Sequence, residues 1–317
     1  MYLNLFLFIL GFVFLIKGAN WLVDGASSIA KKFRVSDLVI GLTIVSFGTS
    51  APELIVNLMA SIQGSGDLAI TNILGSNIVN ILFILGVSAI IFPLAVKKNT
   101  TWKEIPLALL AVVILWILCN DVLFAGQSLN ILSRGDGFVL IAFFIIFLYY
   151  TFGISKVEGE PETVKKYSNA QASLMIVAGI VGLTLGGRWI VDGAIFMAQF
   201  FGLSESLIGL TIVAIGTSLP EFATSAVAAW KHNADIAVGN IVGSNIFNIF
   251  WILGISAVIR PIVFNSNLNF DVYVVITATF LLFIWMFIGK KHILQRWQGF
   301  AMLALYIFYI VYLIIRG

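Results

Sequence analysis

A single cysteine among 317 residues, Cys119, has no partner for an intrachain disulfide and cannot form a thiolate metal cluster. Histidine is nearly as scarce. The two present, His232 and His292, fall near expected loops, so no Ser/His nucleophilic pair is available at membrane depth. Charged residues make up only 10% of the chain and the net charge is +3, with no basic patch of the kind that binds nucleic acid. The bulk of the chain is apolar, at 60% hydrophobic residues and a mean hydropathy of +1.06. Apolar runs of roughly 18 residues or more recur throughout, which a soluble domain of this length could not bury. This composition is that of a polytopic membrane protein. The first run lacks a basic n-region and a small-residue cleavage site, so it is expected to stay as a span rather than leave as a signal peptide.

Breaks at Gly, Pro and charge clusters predict ten helices. Five lie at 3–31, 36–63, 67–95, 103–121 and 134–152, and five at 171–200, 204–231, 235–260, 270–289 and 296–315. A polar linker over 153–170 separates a first half, 1–152, from a second half, 171–317. With the N-terminus outside, the inner loops hold Lys31, Lys32, Arg34, Lys97, Lys98, Lys103, Lys156, Lys165, Lys166, Lys231, Lys290, Lys291 and Arg296. The outer segments hold only Arg134, Arg260 and Arg316. That bias predicts a multi-pass protein of the cell membrane with both termini outside.

The two halves repeat one another. GLTIVSFGTSAPE at 41–53 returns as GLTIVAIGTSLPE at 209–221, and GSNIVNILFILGVSAI at 75–90 returns as GSNIFNIFWILGISAV at 243–258. The offset is 168 residues (221 − 53) and holds without a gap from Gly11/Gly179 to Pro93/Pro261. Two homologous halves of five spans each must enter the membrane in opposite directions. The expected fold is therefore an all-α membrane protein of two inverted five-helix repeats, an architecture common among secondary transporters.

Each copy places a carboxylate and several hydroxyls and amides inside an apolar span. Pro52 has no N–H to give the Gly48 carbonyl, so span 2 is expected to kink and free carbonyls near Ser46–Thr49. Thr49 and Ser50 stand four and three residues before Glu53, so all three can share one face. Span 7 repeats the set with Thr217, Ser218, Pro220 and Glu221. Asn72, Ser76 and Asn80 form a polar stripe in span 3, and Asn240, Ser244 and Asn248 match it in span 8. Such an oxygen-only donor set suits a hard cation, Na+, Ca2+ or Mg2+, rather than Zn2+ or Cu2+. Two carboxylates this close also imply competition between cations and protons.

Ordinary readings compete with this one. Small residues in membrane helices often serve only packing, and proline kinks are common. A mid-span glutamate is harder to dismiss, since it costs about 2.5–3.5 kcal/mol even on insertion scales unless paired or used. Neither motif contains a basic partner. Asp24 and Asp192 are expected to pair locally, Arg188/Asp192 at i, i+4, and Asp67 and Asp235 to cap helices.

The motifs GTSAPE with GSNIVNI, and GTSLPE with GSNIFNI, resemble the two alpha-repeats of the sodium/calcium exchangers, within the calcium/cation antiporter superfamily, in their compact prokaryotic form. The resemblance covers nearly the whole chain. It implies cation sites between spans 2, 3, 7 and 8, with Glu53 and Glu221 as central acidic ligands shared by Ca2+ and Na+. By motif position Thr49 and Thr217 would join the Ca2+ site, and Ser50, Ser76, Ser218 and Ser244 the flanking Na+ sites. The backbone carbonyls of Ser46 and Ala214 would add ligands, Asn80 and Asn248 would close the centre, and spans 1 and 6 would slide to switch access.

Potassium-dependent exchangers of the superfamily carry Asp where this chain has Asn248, so K+ co-transport is not expected. Proton/calcium exchangers carry a GNxxE pattern where this chain has GTSAPE and GTSLPE. The expected function is Na+/Ca2+ antiport by a transporter that is not an enzyme and needs no cofactor. Its partners are Na+, Ca2+ and the bilayer, with no nucleic acid, and the sequence is compatible with a monomer without fixing the oligomeric state. A Ca2+/H+ antiporter and a cation channel are the alternatives.

Overall fold

A computed structural model describes residues 2–33, 35–98, 100–153, 167–200 and 214–316. Arg34, most of the linker (154–166, with its acidic run and Lys156, Lys165 and Lys166) and the opening of expected span 7 (204–213) lie outside the described residues.

The first half comprises α1 (Tyr2–Phe33), α2 (Asp37–Thr49), α3 (Ala51–Gln63), α4 (Gly66–Ile91), α5 (Thr100–Leu118) and α6 (Arg134–Gly153). The second comprises α7 (Asn169–Phe200), α8 (Ala214–Thr217), α9 (Leu219–Trp230), α10 (Ala234–Ile259), α11 (Asn269–Trp285) and α12 (Arg296–Arg316). Among the described residues, eight helices are long and apolar enough to cross a membrane, or nine if α2 and α3 count as one bent span. The tenth expected span is represented by α8 and α9.

Burial sorts these helices into a centre and a rim. In α4 and α10 the apolar stretch is 78% and 83% buried, against 22–39% in the other six, whose outer faces carry the large exposed hydrophobics that lipid would cover. The two GSN motifs therefore sit on the most buried of these helices.

α1 and α7 lie antiparallel along one side. Gly11 faces Gly186, Gly18 faces Gly179 and Gly25 faces Ala172, each so close that a Cβ would fall 2.8–2.9 Å from the opposing carbonyl oxygen. Gly186 is the repeat counterpart of Gly18, and Gly179 that of Gly11. Homologous residues thus swap places across the contact, as a two-fold relation between oppositely directed halves requires. Small residues at seven-residue spacing allow this approach.

The halves also interlock at their rims. Gly86 of α4 packs against Gly299 of α12, and its counterpart Gly254 of α10 packs against Gly137 of α6. Two tiny antiparallel ribbons reinforce the exchange. β1 (Leu94–Ala95) pairs with β4 (Ile293–Leu294), and β2 (Ile131–Leu132) with β3 (Ile262–Val263). Each half's last helix therefore packs on the other half's central helix.

Two expectations about acids need correction. Asn233, not Asp235, caps α10 by accepting from Ile236 N at 3.0 Å, which leaves Asp235 to pair with Lys97. Asp67 lies in the first turn of α4 behind Ser65 and makes no side-chain cap. Arg188 and Asp192 do pair, at 3.6 Å, but both are exposed. Asp24 pairs across the halves with Lys231 at 2.7 Å rather than locally.

Candidate ion-binding site

The chain around Glu53 folds as its sequence dictates. Pro52 sits in the first turn of α3, where its missing N–H does least harm, and Ser50 leaves helical geometry at φ −82° and ψ 10°. α2 and α3 consequently meet at 49°. Glu221 has the same setting, with Pro220 in the first turn of α9 behind Ser218 at φ −87° and ψ 7°. Each break places a serine, a threonine and a glutamate at the meeting of two half-helices.

Glu53 and Glu221 are both buried, with 1% of their surface exposed. Among the described residues no side-chain cation pairs with either, and serines contact them instead. Ser50 Oγ lies 2.8 Å from Glu221 Oε1 and 3.0 Å from Ser244 Oγ. Ser218 Oγ lies 3.3 Å from both Glu53 Oε1 and Ser76 Oγ, and Ser76 Oγ donates to the same oxygen at 3.3 Å. The serine of each half therefore holds the carboxylate of the other. The second oxygen of each carboxylate, Glu53 Oε2 and Glu221 Oε2, is buried and accepts no hydrogen bond.

A belt of four amides closes one side. Asn80 Nδ2 donates to Asn245 Oδ1 at 3.0 Å, and Asn248 Nδ2 donates to Asn77 Oδ1 at 3.0 Å. Both bonds occupy the amide N–H ends and leave Asn80 Oδ1 and Asn248 Oδ1 buried and unpartnered. Asn80 and Asn248 fall where α4 and α10 widen into π-helical turns, Val79–Leu85 and Asn248–Leu253, a local distortion frequent at functional sites. A further π turn, Gly41–Val45, precedes Ser46 in α2.

The threonines are not equivalent. Thr49 Oγ1 lies 2.9 Å from Asn240 Oδ1, whereas Thr217 Oγ1 is buried without a partner. The Ser46 carbonyl accepts from Ser50 N at 3.0 Å and Thr49 Oγ1 at 3.3 Å. Ala214 opens α8, and its backbone stands one turn before Ser218.

Eight of the twelve residues expected at the site thus fall into two bonded clusters, Ser46, Thr49, Ser50, Glu221 and Ser244 in one and Glu53, Ser76 and Ser218 in the other. Asn80 and Asn248 bond within their own belt. Thr217 Oγ1 makes no hydrogen bond to either cluster. Asn77 and Asn245 were missed by the stripe pattern, although both are buried and they fix the two central amides. Their recurrence at the repeat offset, inside GSN, was the available signal.

Chemically, the four buried acceptor oxygens without donors, two of them on carboxylates, are of the type that hard cations prefer. Among the described residues no group of three His, Cys, Asp or Glu is suited to a metal, so the neutral oxygens are part of any such site.

Comparison with known proteins shows the family of the chain. The chain matches the sodium/calcium exchanger protein family over residues 3–153 and 172–315. It is 39% identical over 312 residues to the putative antiporter CaxA of Alkalimonas amylolytica, covering 95% of each chain. It is 30% identical over 345 residues to the sodium/calcium exchanger MaX1 of Methanosarcina acetivorans, covering 98% of each. Among solved structures, the sodium-calcium exchanger NCX_Mj, soaked with Na+ and Ca2+, superimposes with a TM-score of 0.84 at 34% identity over 98% of both chains.

Proposed function

The chain belongs to the sodium/calcium exchanger family of multi-pass membrane transporters, and on that footing we propose that it is a secondary active antiporter exchanging Na+ for Ca2+ at a shared site. The observation that carries the reading is the set of four buried, donor-free oxygens, Glu53 Oε2, Glu221 Oε2, Asn80 Oδ1 and Asn248 Oδ1. The serine hydroxyls around them supply neutral oxygens for the smaller charge of Na+. MaX1 is named a sodium/calcium exchanger, which supports the same pair of ions.

The charge of the site explains obligatory exchange. Two ionised carboxylates buried without cations are expensive, so the empty cluster resists the passage through an occluded state. One Ca2+, or Na+ enough to balance the charge, removes that penalty. Na+ and Ca2+ then occupy the cluster in turn rather than together, and each leaves only when the other replaces it. The small-residue track between α1 and α7 is the surface along which access switches. An amide at Asn248 adds no charge, which fits a K+-independent cycle. The basic loops fit both termini outside.

The test is Ca2+ uptake into Na+-loaded proteoliposomes diluted into Na+-free buffer, with K+ and the pH gradient varied separately. Uptake that needs internal Na+, ignores K+ and survives collapse of the pH gradient is expected. Uptake driven by the pH gradient alone would assign proton antiport, and flux without a counter-ion a channel.

A further inference from the structure

Beyond the central cluster, α3 carries a second polar layer whose side chains are left unpartnered, unlike the equivalent layer on α9. Asn57 follows Glu53 by four residues and Ser61 follows Asn57 by four, so the three share one helix face. Asn57 is fully buried, yet neither its Nδ2 nor its Oδ1 has a hydrogen-bond partner. Ser61 Oγ is likewise buried and unpartnered, and Ser61 lines a cavity of about 540 Å3 walled also by Gly64, Asp67, Arg260 and Asn265. Asn72 Nδ2 on α4 is without a partner as well.

The second half has closed the equivalent layer. Ser225 stands in place of Asn57, donating to Ala237 O at 3.3 Å and accepting from Asn240 Nδ2 at 2.9 Å. Asn240, the counterpart of Asn72, also donates to Glu221 O at 3.3 Å and accepts from Thr49 at 2.9 Å. Ala229 replaces Ser61 and is fully buried. Along α9 Ser225 and Asn240 make their hydrogen bonds, with only the neighbouring Thr224 Oγ1 left buried and unpartnered, and the last position is apolar. Along α3 none of the corresponding bonds is made, and the last position opens on the cavity.

An amide buried with both ends unsatisfied is rare and costly, and it is tolerated where something polar occupies the space beside it. We propose that Asn57 and Ser61 form a way-station for the transported cation, separate from the central cluster, where a partly hydrated Na+ or Ca2+ is held between the cavity and Glu53. The Oδ1 and Oγ atoms are hard oxygen donors, and Nδ2 donates to a water the ion retains. Asp67 and Arg260 give the cavity one charge of each sign, so the carboxylate beyond Asn57 supplies the inward attraction. This inference rests on Glu53 and Glu221 being the ion site.

The test uses the full chain with Cys119→Ala, which removes the sole native thiol, reconstituted in sealed vesicles. Asn57→Cys, Ser61→Cys and Ala229→Cys variants are labelled by a membrane-impermeant thiol reagent present on both sides of the vesicle membrane, because the inverted halves put Ser61 and Ala229 on opposite sides, with and without Ca2+. Asn57→Cys and Ser61→Cys are expected to react from the cavity face at least about tenfold faster than Ala229→Cys, with Ca2+ slowing Asn57→Cys. Labelling of Asn57→Cys no faster than Ala229→Cys, or untouched by Ca2+, overturns the proposal. Asn57→Leu provides a second readout, with exchange slowed and equilibrium Ca2+ affinity kept, while Asn57→Ser restores the rate. Wild-type exchange in Asn57→Leu would equally sink the idea. Ca2+ binding that persists in Glu53→Gln would instead mark failure of the central-site reading.

Discussion

Ser50 of the first half holds Glu221 of the second, with Oγ and Oε1 2.8 Å apart. The reciprocal contact, Ser218 to Glu53, is looser at 3.3 Å. Two halves related by sequence are thus joined at their centres by unequal bonds. Hydrogen bonds to ionised groups contribute about 1.5–3 kcal/mol, and the shorter one should contribute more. Ser50→Ala is therefore expected to raise the half-saturating Na+ concentration about tenfold, more than Ser218→Ala does. The Na+ dependence of Ca2+ uptake checks this, and equal shifts in the two variants would contradict it.

Glu53→Gln and Glu221→Gln keep shape but each removes one of two charges from the cluster. Either change is expected to abolish exchange in a protein that still inserts and elutes as the wild type does. Because a neutral amide relieves a buried charge, the melting temperature in ion-free buffer should stay level or rise. Wild-type Ca2+ flux in either variant would remove that residue from the site.

Much of this centre was legible because its chemistry is out of place in lipid. A glutamate, a proline and hydroxyls recurring at one offset pointed to Glu53, Glu221 and the broken helices, and the bend falls at Ser50, two residues before Pro52. Asn77 and Asn245 escaped because a stripe drawn at four-residue spacing passes over the next position, which lies about 100° around the helix. The π turns at Val79–Leu85 and Asn248–Leu253 shift backbone bonds without altering composition. The ribbons joining Leu94 to Leu294 and Leu132 to Ile262 are two residues long, too short to leave a period. In sequence Asp235 stands at a helix start and suits a cap, but Lys97 arrives beside it only through the fold.

Asn77 gives a direct test of the amide belt. Its Oδ1 takes the Asn248 N–H, which fixes that amide with its own Oδ1 buried and free of donors. Asn77→Ala frees that amide to turn, and a buried group left unpaired costs about 1–3 kcal/mol. Ca2+ affinity measured by calorimetry is expected to fall about tenfold, with Asn245→Ala behaving alike through Asn80. Unchanged affinity in both would show that the belt does not orient the ligands.

Gly18 tests whether α1 and α7 must stay in close contact to move. A Cβ there would meet Gly179 O and Leu183 N at 2.8 Å, and backbone atoms cannot turn aside as a side chain can. Gly18→Val is expected to part the helices at a cost of about 1–3 kcal/mol. Exchange should drop sharply while equilibrium Ca2+ binding stays within about twofold, because Gly18 does not touch the cluster. Loss of binding in step with transport would mean that the contact holds the fold rather than the switch.

Asn248→Asp examines the charge of the site itself. Asn248 lies fully buried, gives its N–H to Asn77 and leaves its oxygen free. A carboxylic acid there can make the same bond only while protonated, since the ionised form has no hydrogen to donate to Asn77 Oδ1. Raising the pH therefore breaks one bond and adds a third negative charge beside Glu53 and Glu221. Lowering it restores the bond and the charge balance of the wild type. Proton and cation compete for that added oxygen, so the variant's exchange rate should vary with pH more steeply than the wild type's. The added charge also invites a further monovalent cation, so external K+ should alter the variant's rate at high pH and not at low pH. Parallel pH profiles, with no K+ effect at either end, would place the Asn248 side chain outside the ion cluster.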